Sequence, residues 1–374
     1  MVPIGDVQGK RQPVSIMLCG PTVYDNLHVG HARMLLTYDL VARILRYAGH
    51  SVEVLLNTTD IDAKIFQKSL QRKVPPAEIS DWYFREMLRD LARLNISEFT
   101  LAKVSNYMGY AGKLVQELLS EGLAYYSAGR YYLRTGHDPG WGGISHMSHE
   151  EIQDCRLDIA ESKHSAHDIL IWSAAEDAFD ICLRGQEKPP GIPWWHMQDT
   201  SVAMANYAGA YDLQGGAGEL AYPHHESQRA QLAAITGRDS PVRAFTYVGL
   251  VTGTAGTKMS KSLGNTVRLT DAVAASSANA LRLFCFSSSY SKPLKFSWEA
   301  LQKFEKKDRR VMGSILSVAE DTSGGSPNSK LMGRFIESLC EDLDTVSALE
   351  ILDLALSDED PSALEMARLL GLRY

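Results

Sequence analysis

The stretch VSIMLCGPTVYDNLHVGHARMLLTYDLVARILRYAGHSVEVLLNTTDID, residues 14–62, decides the fold. Val14–Cys19 is a short apolar run halted by Gly20-Pro21, the pattern of a buried strand running into a turn. From His28 to Tyr47 apolar residues recur at helical spacing, and Gly49 supplies a C-terminal cap. Val52–Leu56 predicts a second strand, ending in polar Asn57-Thr58-Thr59-Asp60. Strand, helix and strand in succession make a βαβ unit, which requires a parallel sheet. Ligands of such sheets sit beyond the carboxyl ends of the strands. The loops Cys19–Asp25 and Asn57–Asp62 are therefore expected to line a cleft.

Outward from this unit, residues 65–120 read as mostly helical. The texture changes at Leu123, where AYYSAGRYYLRTG predicts a hairpin followed by a loop rich in Gly, His and Ser. Strand-like texture returns at Tyr211–Gln214 and Phe245–Val251, and the final hundred or so residues are helical apart from the SGGSPNS stretch, Ser323–Ser329, read as flexible. The expected organisation is α/β. Residues 1–122 form the first half of a nucleotide-binding catalytic domain, and 123–193 an inserted α+β region. The second half is 194–290, and 291–374 a helical bundle. No internal repeat is present.

With 374 residues, 45% hydrophobic and 22% charged, the chain can bury two or three cores, which excludes disorder as its main state. The net charge of −7 excludes a global basic field for a polyanion. The five cysteines, at 19, 155, 182, 285 and 340, lack the paired spacing of a disulfide scaffold and read as reduced thiols. There is no long apolar run and no export signal, so the expected compartment is the cytoplasm, with no membrane partner.

Two clusters carry chemistry. His28-Val29-Gly30-His31 opens the first long helix, where free N–H groups and the positive dipole end suit a phosphate. Gly30 permits close approach of a nucleotide, and the two imidazoles share one face. Alone, these four residues equally describe a capped helix with surface histidines. Lys258-Met259-Ser260-Lys261-Ser262 follows the Gly/Thr-rich stretch Thr252–Thr257. Lys258 and Lys261 would supply positive charge where a reaction expelling pyrophosphate develops negative charge. Alone, this pentapeptide equally describes a solvated basic loop. Both clusters in this order make the catalytic reading the better one.

Together, CGPTVYDNLHVGHAR, NTTDID, WWHMQD, YPHHES and KMSKSLGN resemble the signatures of cysteinyl-tRNA synthetases, a class I family. The related mycothiol-pathway ligases, which join cysteine to glucosaminyl-inositol, are similar too. The resemblance runs from about residue 14 to the C-terminus and implies a class I Rossmann-type catalytic domain. Such a domain condenses an amino acid with ATP, assisted by magnesium, to an aminoacyl-adenylate.

It also implies roles for individual residues. Gly20, Thr22, Gly30, Gly216, Gly218, Glu219 and Val251 fall at ATP or adenylate positions. Asn57, Thr59 and Trp195 fall in the amino-acid pocket, although Trp194-Trp195 also reads as a core pair. The glycines of Gly215–Gly218 read as a turn that lets adenosine approach, and Met34 stands where relatives often carry Thr. In that family a zinc ion holds the substrate thiolate. Its ligand positions fall on Cys19, Asp199 in place of a second cysteine, His224, and Gln228 in place of a glutamate. Two readings follow: zinc persists on Cys19, Asp199 and His224, or the metal is lost and another amino acid is selected. Cys19 alone also reads as a small buried hydrophobe.

The sequence FIESLCEDLDTVSALEIL resembles the start of the relatives' helical bundle, and little of that bundle remains before Tyr374. Beyond Lys306-Lys307-Asp308-Arg309-Arg310, read as a solvated helix face, there is no basic cluster for a tRNA footprint. The expected activity is amide formation from an amino acid and a small-molecule amine, in thiol-cofactor or specialised-metabolite synthesis. The alternatives are aminoacylation of a tRNA or of a carrier protein, and a non-catalytic paralogue of a synthetase.

Overall fold

The computed structural model describes residues 12–136, 138–147, 163–165, 167–173, 191–253, 266–320 and 328–374. The βαβ unit is present: β1 (Val14–Leu18), α1 (Val29–Tyr47) and β2 (Val52–Thr58). β1 and β2 pair in parallel from Val14↔Val52 to Leu18↔Leu56. Then come α2 (Ala63–Arg72), α3 (Pro76–Arg93), β3 (Phe99–Lys103) and α4 (Met108–Ser120). Residues 65–120 are mostly helical as expected, with the short strand β3 set between α3 and α4. β3 pairs with β2 at the sheet edge, half-covered, so its FTLAK sequence carries no sustained apolar pattern.

A second, antiparallel sheet follows, of β4 (Ala124–Ser127), β5 (Arg130–Leu133), β6 (Ile169–Ser173) and β7 (Ile192–Pro193). The expected hairpin is β4–β5, turned by Ala128 and Gly129 at positive φ. The chain returns through α5 (Trp195–Tyr207), β8 (Tyr211–Ala217), α6 (Glu226–Thr236) and β9 (Val242–Val248). The short strands β10 (Val251–Thr252) and β11 (Leu294–Lys295) pair beside α7 (Leu269–Ala274) and α8 (Ala278–Cys285). Helices α9 (Trp298–Glu320), α10 (Ser329–Cys340), α11 (Thr345–Ser357) and α12 (Ser362–Leu369) complete the chain.

The main sheet has the order β3-β2-β1-β8-β9, every neighbouring pair parallel. Strand order reverses between β1 and β8, and that is where a doubly wound sheet opens a crevice. The sheet is buried on both faces. Ile16 and Leu18 of β1 pack with α1 and the C-terminal helices. Met17 points the other way, into a cluster with Leu55, Val202 and Leu232. That double burial is why Ile16–Leu18 of β1 reads as an unbroken apolar run.

The reading of Gly215–Gly218 as a turn is corrected. β8 continues through Gly215 and Gly216 to Ala217, and these glycines answer to packing. A Cβ on Gly215 would lie 2.5 Å from Tyr38 Cζ and 2.6 Å from Leu18 Cδ2. The Tyr38 hydroxyl accepts from the Gly216 N–H (2.9 Å) and donates to Thr246 O (2.7 Å). One ring of α1 thus sets the close approach of β8.

The C-terminal helices are tied to the sheet domain through a buried pair, Arg282 donating to Asp39 at 2.7 Å and to Leu370 O at 3.1 Å. The basic run on α9 is not simply solvated: Lys307 and Arg310 both reach Asp353 of α11, and Ser277 donates to Asp308. Most of the Ser323–Ser329 stretch lies outside the described residues, except that Asn328 caps α10 and Ser329 begins it. Cys155 and Cys182 also lie outside them, whereas Cys19, Cys285 and Cys340 are free thiols. Among the described residues no helix is long and apolar enough to cross a membrane.

Candidate active site

A cavity of ≈ 300 Å³ opens at the carboxyl ends of β1 and β8. The loops after β1 and β2 close on each other above it: Val23 N–H donates to Thr59 O (3.0 Å) and Thr59 N–H to Pro21 O (3.3 Å). Gly20 is required there, because a Cβ would lie 1.8 Å from Asn57 O. Its N–H donates to the Asn57 side chain at 2.5 Å, and Asn57 in turn donates to Asp199.

His28, Gly30, His31, Met34 and Val251 line the cavity. His28 is the N-cap of α1, and the two histidines form a reciprocal capping box. Each Nδ1 accepts the other residue's backbone N–H, at 3.3 and 3.2 Å, and the rings stack at 3.7 Å. An Nδ1 used as acceptor leaves the proton of a neutral imidazole on Nε2. Both rings are therefore set up as Nε2–H donors beside the helix N-terminus, an arrangement suited to a phosphate. The helix-capping reading of HVGH is right, and the capped geometry is compatible with the phosphate reading.

Lys258 and Lys261 lie outside the described residues. The chain entering and leaving that segment is nonetheless held at the cavity. Val251 lines it, and on the far side Arg268 bridges to His28 while Val29 N–H donates to Val267 O (3.0 Å).

Cys19, Thr59, Trp195, Asp199 and His224 also line the cavity wall. Thr22 and Glu219 also line the cavity, the latter exposed at its rim. Gly216 and Gly218 do not form part of the wall; from their stretch Ala217, Glu219 and Leu220 do, because Gly216 is covered by Leu220 and His225. The tryptophan pair is split. Trp194 packs with Tyr125, Tyr132 and Leu170, whereas Trp195 stacks on His224 at 4.3 Å with an interplanar angle of 6°.

Behind that wall is a buried polar cluster centred on the Cys19 thiol. It lies 2.9 Å from Asp199 Oδ2, 3.3 Å from His224 Nε2 and 2.9 Å from His225 Nε2. His224 Nε2 is also 2.8 Å from Asp199 Oδ2. Burial, then the Asp199 charge, pushes the Cys19 thiol well above its ordinary range, while a hydrogen bond from Gln214 opposes the shift. Burial pushes His196 and His225 well below the ordinary imidazole range, so both are neutral near pH 7.

Sequence reasoning did not single out His225, Gln214, His196 or Tyr247. The signal for His225 was the His224-His225 doublet, which the tight turn Ala221–His225 aims as a pair at Cys19. Gln228 does not reach the thiol. It donates to Tyr211 Oη (3.2 Å), which donates to Gln214 Oε1 (2.6 Å), which reaches Cys19 at 3.3 Å. A thiol, two imidazoles and a carboxylate gathered in a buried site are a donor set that fits zinc.

The family described as "tRNA synthetases class I (C) catalytic domain" matches residues 6–306. The cysteine–tRNA ligase of Wolinella succinogenes is 32% identical over 94% of the chain and 76% of its own length. That of Archaeoglobus fulgidus is 31% identical over 92% of the chain and 76% of its own. Among solved structures, Mycobacterium tuberculosis methionyl-tRNA synthetase bound by methionyl-adenylate superposes with a TM-score of 0.71. Its identity is 16%, covering 96% of this chain and 84% of that one. A leucyl-tRNA synthetase of Agrobacterium radiobacter K84 superposes at 0.69 with 11% identity, covering 98% and 83%. On the family match and on relatives covered over most of their length, the chain belongs to the class I tRNA synthetases of the cysteine type and is an aminoacyl-tRNA synthetase-like, ATP-dependent ligase.

Proposed function

We propose that the chain activates an amino acid as its aminoacyl-adenylate and passes the acyl group to the amine of a small molecule. The observation carrying the first step is that one cavity is lined both by His28 and His31 and by Trp195, Asp199 and His224. The amino-acid carboxylate attacks the α-phosphorus of ATP. A carboxylate O–P bond forms as the bond to the bridging oxygen breaks, and pyrophosphate leaves. His28 and His31 donate Nε2–H to the phosphate oxygens, and Lys258 and Lys261 neutralise the charge that develops. Magnesium, when bound, carries the pyrophosphate. The acceptor nitrogen then attacks the adenylate carbonyl, loses a proton and expels AMP. No protein nucleophile is required.

The small-amine acceptor rests on charge. At a net −7, and with the Lys307 and Arg310 cations of α9 engaged by Asp353, this surface is a poor match for a polyanion. A second reading, tRNA as acceptor, is favoured by the relatives, which are cysteine–tRNA ligases. Amino-acid-dependent exchange of pyrophosphate into ATP tests the first step; its absence with every amino acid tried would overturn adenylation. AMP release stimulated by a small amine without RNA supports the first acceptor. Acid-precipitable aminoacyl-tRNA replaces it with the second.

A further inference from the structure

We propose that Glu226 is a positioning residue for the amino-acid pocket: it clamps the segment 138–147 against the Ala221–His225 turn and so fixes where His224 and Trp195 stand. The proposal rests on the adenylation reading, since the pocket it shapes is the one assigned there to the amino acid.

Glu226 begins α6 and directly follows His225. Its side chain is wholly buried, a costly place for a carboxyl group unless its oxygens are used. Oε2 accepts the backbone N–H groups of Ile144 and Ser145, both at 3.1 Å. Arg229 Nε stands 3.7 Å from Oε1, an ion pair longer than a hydrogen bond. Arg229 also donates to Asp138 and lies against Gly140, where a Cβ would come within 2.7 Å of its Nη1. The first turn of α6 thus grips the segment near both of its ends.

The segment is wound tightly enough to transmit that grip. Trp141 N–H donates to Asp138 O (3.2 Å), Gly143 N–H to Gly140 O (3.0 Å) and His146 N–H to Gly142 O (3.0 Å). Trp141 packs against the cluster that holds Met197 of α5 and Ala230 of α6, and its ring meets Tyr222 edge-on at 6.4 Å. Tyr222 and Glu226 flank the His224-His225 pair in the chain, so the segment holds that turn from both sides. His224 carries the constraint onward to Trp195, on which it stacks, and both residues line the cavity. For stability alone an apolar contact would serve as well as a buried charge. What the carboxyl group adds is direction, because two N–H bonds converging on one oxygen set the register of the segment against the turn.

The test is pyrophosphate exchange by the full chain, with amino acid and ATP varied in turn, read beside hydrogen exchange of the same variants. Each standard amino acid is screened on the parent, and the fastest is kept as the probe. Glu226→Ala should raise the amino-acid KM about tenfold or more while the ATP KM stays within about twofold, the signature of a displaced pocket. Glu226→Gln keeps an oxygen for the two N–H groups and should return the amino-acid KM to within about threefold of the parent. Trp141→Leu loosens the Tyr222 side and should raise the same KM, which decides the matter where Glu226→Ala does not fold. In Glu226→Ala, amide exchange should quicken in 138–147 and in 221–226 together. A fall in kcat with both KM values unmoved means a merely structural role and overturns the proposal, as does faster exchange confined to 138–147. A parent that exchanges pyrophosphate with no amino acid overturns the adenylation reading instead, and hydrogen exchange still decides the clamp.

Discussion

His28 and His31 hold each other: the Nδ1 of each accepts the backbone N–H of the other, at 3.2 and 3.3 Å. Both side chains therefore serve helix initiation through Nδ1, and both residues line the cavity. The roles separate by substitution. Asn is as good an N-cap as any residue but places no donor where Nε2–H stood. His28→Asn should hold stability within about 0.5 kcal/mol of the parent. It should also slow pyrophosphate exchange by about 10²–10³-fold. His28→Ala should lose a further ~1 kcal/mol in the urea midpoint from the missing cap. If His28→Asn exchanges pyrophosphate at the parental rate, the histidine is only a cap.

What the sequence made legible follows where each element is buried. The first βαβ unit was readable because both faces of β1 are buried, Ile16 and Leu18 on one side and Met17 on the other, so that Ser15, bonded to Asp212, is the one polar residue in the strand. β3 escaped because an edge strand half-covered by solvent needs no apolar signature. The glycines of β8 were misread because their cause, the Tyr38 ring, sits on another element far away in sequence. His225 was invisible for a related reason. Two adjacent residues point at one sulfur only within a tight turn, and no periodicity announces that turn.

The Gly215–Tyr38 contact gives a prediction about stability. Gly215→Ala would force a methyl to 2.5 Å from Tyr38 Cζ, with Leu18 Cδ2 at 2.6 Å, in a sheet centre that cannot yield. The expected loss is about 1–3 kcal/mol by urea unfolding, the usual range for overpacking. In a Tyr38→Ala background the ring is gone, so the cost of Gly215→Ala should shrink by more than about 0.5 kcal/mol. Strict additivity would mean that the backbone, rather than the ring, sets the need for glycine.

Arg282 is almost wholly enclosed, yet it bonds Asp39 of α1 and the carbonyls of Leu94 and Leu370. It joins the sheet domain to the C-terminal helices, so its loss leaves Asp39 and two carbonyls short of a donor. Arg282→Ala should cost about 3–5 kcal/mol, the range for breaking one side of a buried pair. Arg282→Met with Asp39→Leu should cost less than the single change, because both charges leave together. Hydrogen exchange should localise the damage to α1, α8 and α12. A single variant as stable as the parent would show that the pair is not holding these elements.

Cys285 supplies a pH prediction independent of the active site. It is buried in α8, and burial pushes its thiol from 9.0 up to about 12, with Arg33 and Arg282 opposing. Below pH 9 the thiol is protonated in both folded and unfolded chains and adds no pH dependence. Between 9 and about 12 the folded chain keeps its proton while the unfolded chain releases it. Stability must then fall as pH rises, by up to about 1.4 kcal/mol per unit. Other groups ionise in this range too, so the measurement is the difference between the parent and Cys285→Ala. That substitution shifts the midpoint by a constant below pH 9 and should progressively close the gap above it. The same burial predicts that iodoacetamide at pH 8 alkylates exposed Cys340 but leaves Cys285 intact until the chain is unfolded. A pH-independent gap, or Cys285 reacting as fast as Cys340, would mean that α8 opens far more readily than its packing against Asp39 and Leu370 implies.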